Sequence, residues 1–384
     1  MNKQHRQTSD KIHNCPTHFH HHNHIKSTDI TEINDIQQTQ YSSAGNATKA
    51  VFFYASNKGK KIFFNFIYVI IFTIICTTSL FAQSQLSVPA DFVMRLTPPG
   101  ENNDFLRPSD ISIDKQTGEV FVADPGKNRI VIFDSTSTFR FEFPGADYFS
   151  TPINVEIDNN GFIYILASTR DGRQVFKFDY DGLFIKVLKL ENPNTDMQLK
   201  IISISIENEN LYLFDDKSQQ IFVFDLDGNY MNSFEIMADE EKVNQEEQIV
   251  STILAANDMI YLSVSTLGKV MVYDTEGKKY RSYGYKGNKP GQLNFPVDVK
   301  IVDNSMIMIL DKHRYNVVCY SLNGKFLGEF GGKGNSPGWF YHPTILAVNK
   351  QHQAYIGQIF ENKIQLCEIP EFIKTQAELI QAKK

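Results

Sequence analysis

The chain has 384 residues, of which 42% are hydrophobic and 12% aromatic, so it can build a large core and is not disordered overall. Its formal net charge is −6, and the first 61 residues carry eight Lys/Arg against four Asp/Glu, which leaves 30 basic and 40 acidic residues in the remainder. An acidic body without a basic stripe argues against binding to the phosphates of DNA or RNA.

Residues 1–61 differ from the rest of the chain, because they hold seven of the ten histidines, mainly in the run HFHHHNH. We interpret them as a disordered or mis-annotated extension, with the true translation start near Lys60. The reason is that a secretory signal rarely carries about sixty residues ahead of its charged region. Metal binding by the His tract is the lesser alternative.

Residues 62–84 contain the apolar run IFFNFIYVIIFTIICTTSLF, which is preceded by KGKK and followed by AQSQ. A basic region, an apolar core and small residues at Ala82 and Ser84 predict a secretory signal peptide. The run is also long enough to be an uncleaved membrane anchor. In either case the following residues are expected outside the cytoplasm, as a secreted, periplasmic or cell-surface domain.

From Phe105 onward one pattern recurs, and its closing runs end at a fixed phase. These runs are IVIFD, VFKFD, IFVFD, VMVYD, VVCYS and IQLCE, ending at Asp134, Asp179, Asp225, Asp274, Ser321 and Glu368. A regular period of about 45 residues, filled with short alternating runs of Val, Ile, Phe and Tyr, is typical of four-stranded propeller blades. The sequence therefore predicts an all-β, six-bladed propeller over residues 85–372, with a possibly helical tail over residues 373–384.

Two details refine this prediction. In four units a two-residue hairpin turn ending in glycine is expected after the closing run, as in Asp181-Gly182. The sixth unit lacks an outer strand, whereas DFVMRL (Asp91 to Leu96) resembles one. We therefore expect the N-terminal strand to complete the last blade and close the ring. Cys319 and Cys367 are predicted to be buried thiols on strands.

The first unit, FLRPSDISIDKQTGEVFVADPGKNRIVIFD from Phe105 to Asp134, resembles the NHL-repeat β-propeller family. The Phe and Pro opening, the VAD triplet, N-R-I and the closing F-D are all present, and the fifth unit matches next best. The resemblance covers residues 91 to 370 and implies the fold more strongly than a function. It implies an RNA-binding role only weakly, because the body is acidic and exported.

The VAD aspartates Asp124, Asp215 and Asp311 recur at one phase of the repeat. An acidic rosette for a cation is one interpretation. The favoured one is that each carboxylate accepts backbone N–H groups of the following turn.

The innermost strands surround the channel, so their opening positions are candidate binding residues. A partly polar ring containing Asp110, Asn154 and Asp298 is a possible oxygen site for calcium, as the resemblance to related lactonase and esterase propellers implies. The favoured alternative has no cofactor, and these side chains then hydrogen-bond across blades. A zinc lyase site is not expected, because His313, His342 and His352 occupy different phases of the repeat.

The favoured function is a non-enzymatic binding or scaffold module, with a protein, peptide or carbohydrate ligand at the channel mouth. The alternatives are a calcium-dependent hydrolase of the lactonase or esterase type and the external sensor domain of a membrane-anchored protein. The candidate contact residues are Arg107, Asp110, Asn154, Asp298, Trp339, Tyr341 and His342. No catalytic residue is assigned.

Overall fold

The computed structural model describes residues 88–145, 147–191, 193, 198–236 and 248–382. The predicted extension (1–61) and the predicted signal or anchor (62–84) lie outside the described residues. Within them, no helix is both long and apolar enough to cross a membrane.

The described residues form six antiparallel sheets of four strands each, arranged as the blades of a propeller. Strand β1 (Asp91–Leu96) precedes the first blade. Blade 1 contains β2 (Asp110–Ile113), β3 (Val120–Asp124), β4 (Arg129–Phe133) and β5 (Phe139–Pro144). Blade 2 contains β6 (Thr151–Ile157), β7 (Ile163–Thr169), β8 (Gly172–Phe178) and β9 (Phe184–Val187). Blade 3 contains β10 (Ile201–Glu207), β11 (Asn210–Asp215), β12 (Gln220–Asp225) and β13 (Tyr230–Glu235).

The remaining blades repeat this order. Blade 4 contains β14 (Val250–Ala256), β15 (Met259–Val264), β16 (Lys269–Asp274) and β17 (Lys279–Tyr283). Blade 5 contains β18 (Pro296–Val302), β19 (Met306–Asp311), β20 (Asn316–Ser321) and β21 (Phe326–Gly331). Blade 6 contains β22 (Pro343–Val348), β23 (Gln353–Gln358) and β24 (Lys363–Glu368), with β1 as its outer strand. The first strand of each blade is the innermost, and the prediction of six blades is confirmed.

Burial explains the composition of the strands. The second and third strands of a blade are covered on both faces by neighbouring blades, so β3 and β4 are buried at every position and read as VFVAD and RIVIF. Outer strands such as β5 alternate between buried and exposed side chains, because one of their faces meets solvent. Cys319 and Cys367 are buried on β20 and β24, as predicted.

Closure of the ring is confirmed. Strand β1 pairs antiparallel with β24, with Asp91 opposite Glu368 and Leu96 opposite Ile364. One hydrophobic cluster spans this seam, since it joins Leu96 and Leu366 of blade 6 to Val131 of blade 1. The pairing removes the open sheet edge that blade 6 would otherwise present.

The turns after the closing runs are longer than the two residues predicted. In blade 2, β8 ends at Phe178 and β9 begins at Phe184. The reason is the closing acid: Asp179 Oδ1 accepts the N–H groups of Asp181 (3.1 Å) and Leu183 (2.8 Å), which holds a wider loop. Gly182 does take the expected positive φ, 80°.

A short 3-10 turn follows β3 (Pro125–Lys127), and the chain ends in helix α1 (Glu371–Gln381). The helix packs on blade 5 through Ile373 and Ala377, which are buried in the same cluster as Leu327 and Phe330. The predicted helical tail therefore exists, and it covers part of the propeller.

Candidate functional site at the two mouths of the channel

The channel has two mouths, which we name by the direction of the innermost strands. These strands begin at the upper mouth and end at the lower mouth. At the upper mouth, the acid that ends the second strand accepts N–H groups from the loop that leads into the first. Asp124 bonds Leu106 N at 2.7 Å, and Asp311 bonds Phe295 N at 3.0 Å.

Asp311 and Asp215 also hold the following turn, as the favoured interpretation predicted, whereas Asp124 accepts the side chain of Arg129. Asp311 Oδ1 accepts the N–H groups of His313 (3.0 Å) and Arg314 (2.9 Å). Asp215 Oδ2 accepts Ser218 N at 2.9 Å. These carboxylates are thus used by the fold.

Blade 6 has Gln358 where other blades have this acid. Gln358 is fully buried, and its Oε1 accepts Tyr341 N at 2.7 Å, which fixes the loop that carries Tyr341 and His342. Its Nε2 is buried and has no hydrogen-bond partner among the described residues. His342 has a left-handed backbone, with φ of 47°.

Four rings from blades 5 and 6 meet at the upper mouth, and we call them the upper aromatic cluster: Tyr315, Tyr341, His342 and Phe360. The His342 ring lies 4.6 Å from Tyr341, 5.4 Å from Tyr315 and 5.3 Å from Phe360. Tyr315 and Tyr341 are nearly parallel, at 6.2 Å. Phe360 is 64% exposed, so the cluster presents an aromatic surface to solvent.

The cluster lies in a cationic neighbourhood. Lys333 Nζ stands 5.6 Å from the centre of the Tyr315 ring. Burial lowers the pKa of His342, and the charges of Lys312, His313 and Lys333 lower it further. The imidazole is therefore neutral at neutral pH, and Nδ1 is a buried atom without a hydrogen-bond partner in the described part of the chain.

Two other predicted contact residues, Arg107 and Trp339, are not members of the upper aromatic cluster. Arg107 N donates to Asn362 Oδ1 at 2.8 Å, which puts this exposed arginine beside the loop of Phe360. The ring contacts of the described residues do not join Trp339 to the upper aromatic cluster. Its carbonyl instead accepts Gln365 Nε2 at 3.0 Å, in the loop between blades 5 and 6.

The predicted residues Asp110, Asn154 and Asp298 line the channel and join neighbouring blades. Asp110 Oδ2 accepts Asn154 Nδ2 at 3.2 Å and Val155 N at 2.9 Å. Asp298 Oδ2 accepts Leu346 N at 2.8 Å. These are the cross-blade bonds of the favoured alternative.

An ammonium group, which the sequence analysis overlooked, stands among these acids. Lys300 Nζ donates to Asp298 Oδ1 at 3.2 Å. Burial alone would lower the pKa of Lys300, but the charges of Asp298, Asp110 and Glu156 outweigh it and raise that pKa. Burial, together with the charge of Asp298, raises the pKa of Asp110, although Lys300 opposes this.

The described residues contain no group of three or more His, Cys, Asp or Glu side chains arranged to hold a metal ion. The three histidines do not all converge, because His352 pairs with Asp303 near the lower mouth, whereas His313 and His342 both lie at the upper one. The carboxylate oxygens of the channel wall instead accept hydrogen bonds from Lys300 and from backbone N–H groups.

The lower mouth opens into a cavity of about 450 Å³ that all six innermost strands enclose. Its polar wall includes Ser112, Glu156, Ser205 and Lys300. Burial and the charge of Asp110 raise the pKa of Glu156 to about 8, although Lys300 and Lys115 oppose them. A carboxyl group with such a pKa in a concave site is a functional candidate.

A signal for Glu156 and Lys300 is present in the sequence. They lie two positions beyond Asn154 and Asp298, and alternate residues of a strand share a face. Tyr315 and Phe360 carry no such signal, because they come from turns of different blades.

No protein-family model and no curated protein matches this chain. Among solved structures, it is similar to an auxiliary nutrient binding protein from Bacteroides ovatus (15% identity, TM-score 0.55, covering 74% of this chain and 78% of that one). It is also similar to a protein of unknown function from Bacteroides thetaiotaomicron (10% identity, TM-score 0.53, 73% and 74% covered). Virginiamycin B lyase from Staphylococcus aureus matches at 14% identity and a TM-score of 0.48 (72% and 88% covered). At these identities the likeness concerns the fold.

Proposed function

We propose that the protein is an exported NHL-type propeller that binds a ligand at its upper mouth without transforming it. The observation that carries this proposal is the upper aromatic cluster, in which Phe360 is 64% exposed beside Tyr341 and His342. Exposed aromatic rings held in a fixed arrangement are typical of recognition sites. Scaffolding would follow from the same surface if the ligand belongs to another protein.

Among the ligand classes that the sequence left open, the charges favour an acidic carbohydrate. Aromatic faces pack against the apolar face of a sugar ring. Lys312 and Lys333, whose charges act on His342, can meet a carboxylate. This cationic neighbourhood stands out on a body that is otherwise acidic.

Calorimetric titration with a uronic-acid oligosaccharide, and with its neutral counterpart, tests this proposal. We expect Phe360→Ala to weaken binding of the acidic sugar by about tenfold or more. Tyr280→Ala, which removes an aromatic ring of similar exposure from outer strand β17, is the matched control. Equal binding of both sugars, or equal loss in both variants, would refute the proposed site.

The NHL assignment rests on what the motif residues do in blade 1. Asn128 takes the left-handed conformation, with φ of 50°, and Arg129 Nε donates to Asp124 Oδ2 at 2.9 Å. Arg129 also reaches Glu142 Oε2 of the outer strand at 2.7 Å. The residues of the N-R-I and VAD motifs thus connect the strands of blade 1, which supports the resemblance to the NHL repeat.

Export and anchoring concern residues outside the described ones and stay proposals. A secreted or periplasmic binding protein requires cleavage after the apolar run, with an N-terminus at Gln83 or Gln85. Sequencing the N-terminus of the protein from its native host decides the matter. If Ile62 is retained, the chain is membrane-anchored, and the external sensor domain becomes the better proposal.

A calcium-dependent hydrolase is the weaker proposal, because Lys300 already supplies a positive charge to the channel carboxylates. We expect dialysed protein to hold no stoichiometric calcium. Elemental analysis would contradict this if it found one calcium ion per chain that is lost in Asp110→Asn or Asp298→Asn.

A further inference from the structure

The lower cavity is a second potential site, separate from the proposed site at the upper mouth. Its volume of about 450 Å³ falls within the range of small-molecule sites. Its wall is mixed, because aliphatic side chains such as Ile113 and Leu254 stand beside polar and charged ones, which make up nine of the twenty lining residues.

The carboxylate of Glu156 is available to a ligand. Asp110 and Asp298 each accept backbone N–H groups and are therefore used by the fold. The hydrogen bonds of the described residues give the Glu156 carboxylate one contact, a long one of 3.4 Å from Ser112 Oγ. A carboxylate at a cavity wall with a single weak partner can take up a stronger donor.

The charges around the cavity determine which donor fits. Deep in the channel, the carboxyl groups of Asp110, Glu156 and Asp298 face the ammonium of Lys300. At the rim, Lys115 is already paired with Glu207 at 2.8 Å, Asp303 is paired with His352, and Lys350 adds a positive charge. We propose that the lower cavity binds a small organic molecule through an ammonium group placed against the Glu156 carboxylate.

Such binding is coupled to protons. Because the pKa of Glu156 is about 8, most molecules carry a neutral Glu156 at pH 6, and an ammonium ligand must displace that proton. The charged groups that face Glu156 are Asp110, Lys300 and Lys115. Affinity should therefore rise with pH until Glu156 is ionised.

Three probes of equal length separate the possibilities: 1,4-diaminobutane, 1,4-butanediol and succinate, titrated calorimetrically into the propeller at pH 6 and pH 8.5. We expect the diamine to bind more than tenfold tighter at pH 8.5, and to bind better than the diol and succinate. Glu156→Gln should lose the diamine and the pH dependence. Glu276→Gln, an exposed glutamate in the blade 4 hairpin, should retain both.

Each other outcome overturns the inference. Equal binding of the diol, diamine binding that survives Glu156→Gln, or absence of binding at millimolar diamine would each contradict it. The upper-mouth proposal is unaffected by these outcomes, because it is tested by Phe360→Ala and an acidic sugar. Competition between the diamine and the sugar for one site would refute the separation of the two sites.

Discussion

The two mouths of the channel are formed by the same six blades, yet they differ in chemistry. The upper mouth carries aromatic rings and lysines on loops, with Phe360 largely exposed. The lower mouth is a cavity of mixed polarity, in which Glu156 and Lys300 come from the innermost strands and further polar groups such as Lys350 come from the turns at the rim.

This difference follows from where the variable residues lie. At the upper mouth, Asp311 and its counterparts fix the loop backbone, so the side chains between these anchors are free to vary. In the channel, positions two apart on an innermost strand all face inward, so each strand contributes one side chain per layer. Loops thus supply the aromatic surface of the upper mouth, and strands supply the deep wall of the lower cavity.

The largest effect is expected from Asp311→Ala. Asp311 is fully buried and accepts four N–H groups, those of Asn294, Phe295, His313 and Arg314. Leaving them without an acceptor should lower the free energy of unfolding by about 3 kcal/mol or more. Denaturant unfolding measures this, and Asp311→Asn should cost less because it keeps one acceptor. A loss below 1 kcal/mol would mean that the anchor does not hold the upper mouth.

A somewhat smaller effect is expected from Lys300→Met. This change leaves Asp298, which is 5% exposed, without its ammonium partner, and should cost about 2–3 kcal/mol because the carboxylate keeps the N–H groups of Val299 and Leu346. The double variant Lys300→Met, Asp298→Asn should recover part of it. Unchanged stability of the single variant would show that Lys300 does not balance the channel carboxylates.

The third change is expected to raise the stability of the fold, whereas the first two lower it. A carboxyl group whose pKa rises from about 4.5 unfolded to about 8 folded destabilises the protein as pH rises through this window. Glu156→Gln should therefore match the wild type in stability near pH 4.5 and exceed it at pH 8.5, by on the order of 2 kcal/mol. Thermal or denaturant unfolding at both pH values measures the difference. Parallel pH profiles of the two proteins would exclude the raised pKa.

The repeat and the ring closure were predictable because both depend on local patterns. The sequence of strand β1 resembles that of an outer strand such as β5, and the sixth repeat has no outer strand of its own. The turn lengths were wrong, since the role of Asp179 as a loop acceptor was not considered. Glu156 and Lys300 were missed because only the first inward-facing layer of the strands was considered.

The upper aromatic cluster could be predicted only in part. Tyr341 and His342 were identified from their difference from the matching loop of blade 5. Tyr315 and Phe360 join them through the packing of blades 5 and 6, which no local pattern encodes. Trp339 was identified on the same ground, and its carbonyl accepts Gln365 Nε2, while its ring has no contact with the cluster among the described residues.

Hydrogen exchange with and without a uronic-acid oligosaccharide tests the central claim most directly, because it shows where on the propeller the sugar is held. We predict slower exchange in peptides that contain Tyr315, Tyr341 and Phe360, and no change in peptides that contain Glu156 and Lys300. Slower exchange confined to the lower cavity, or no change at a saturating sugar concentration, would contradict the assignment of ligand binding to the upper mouth.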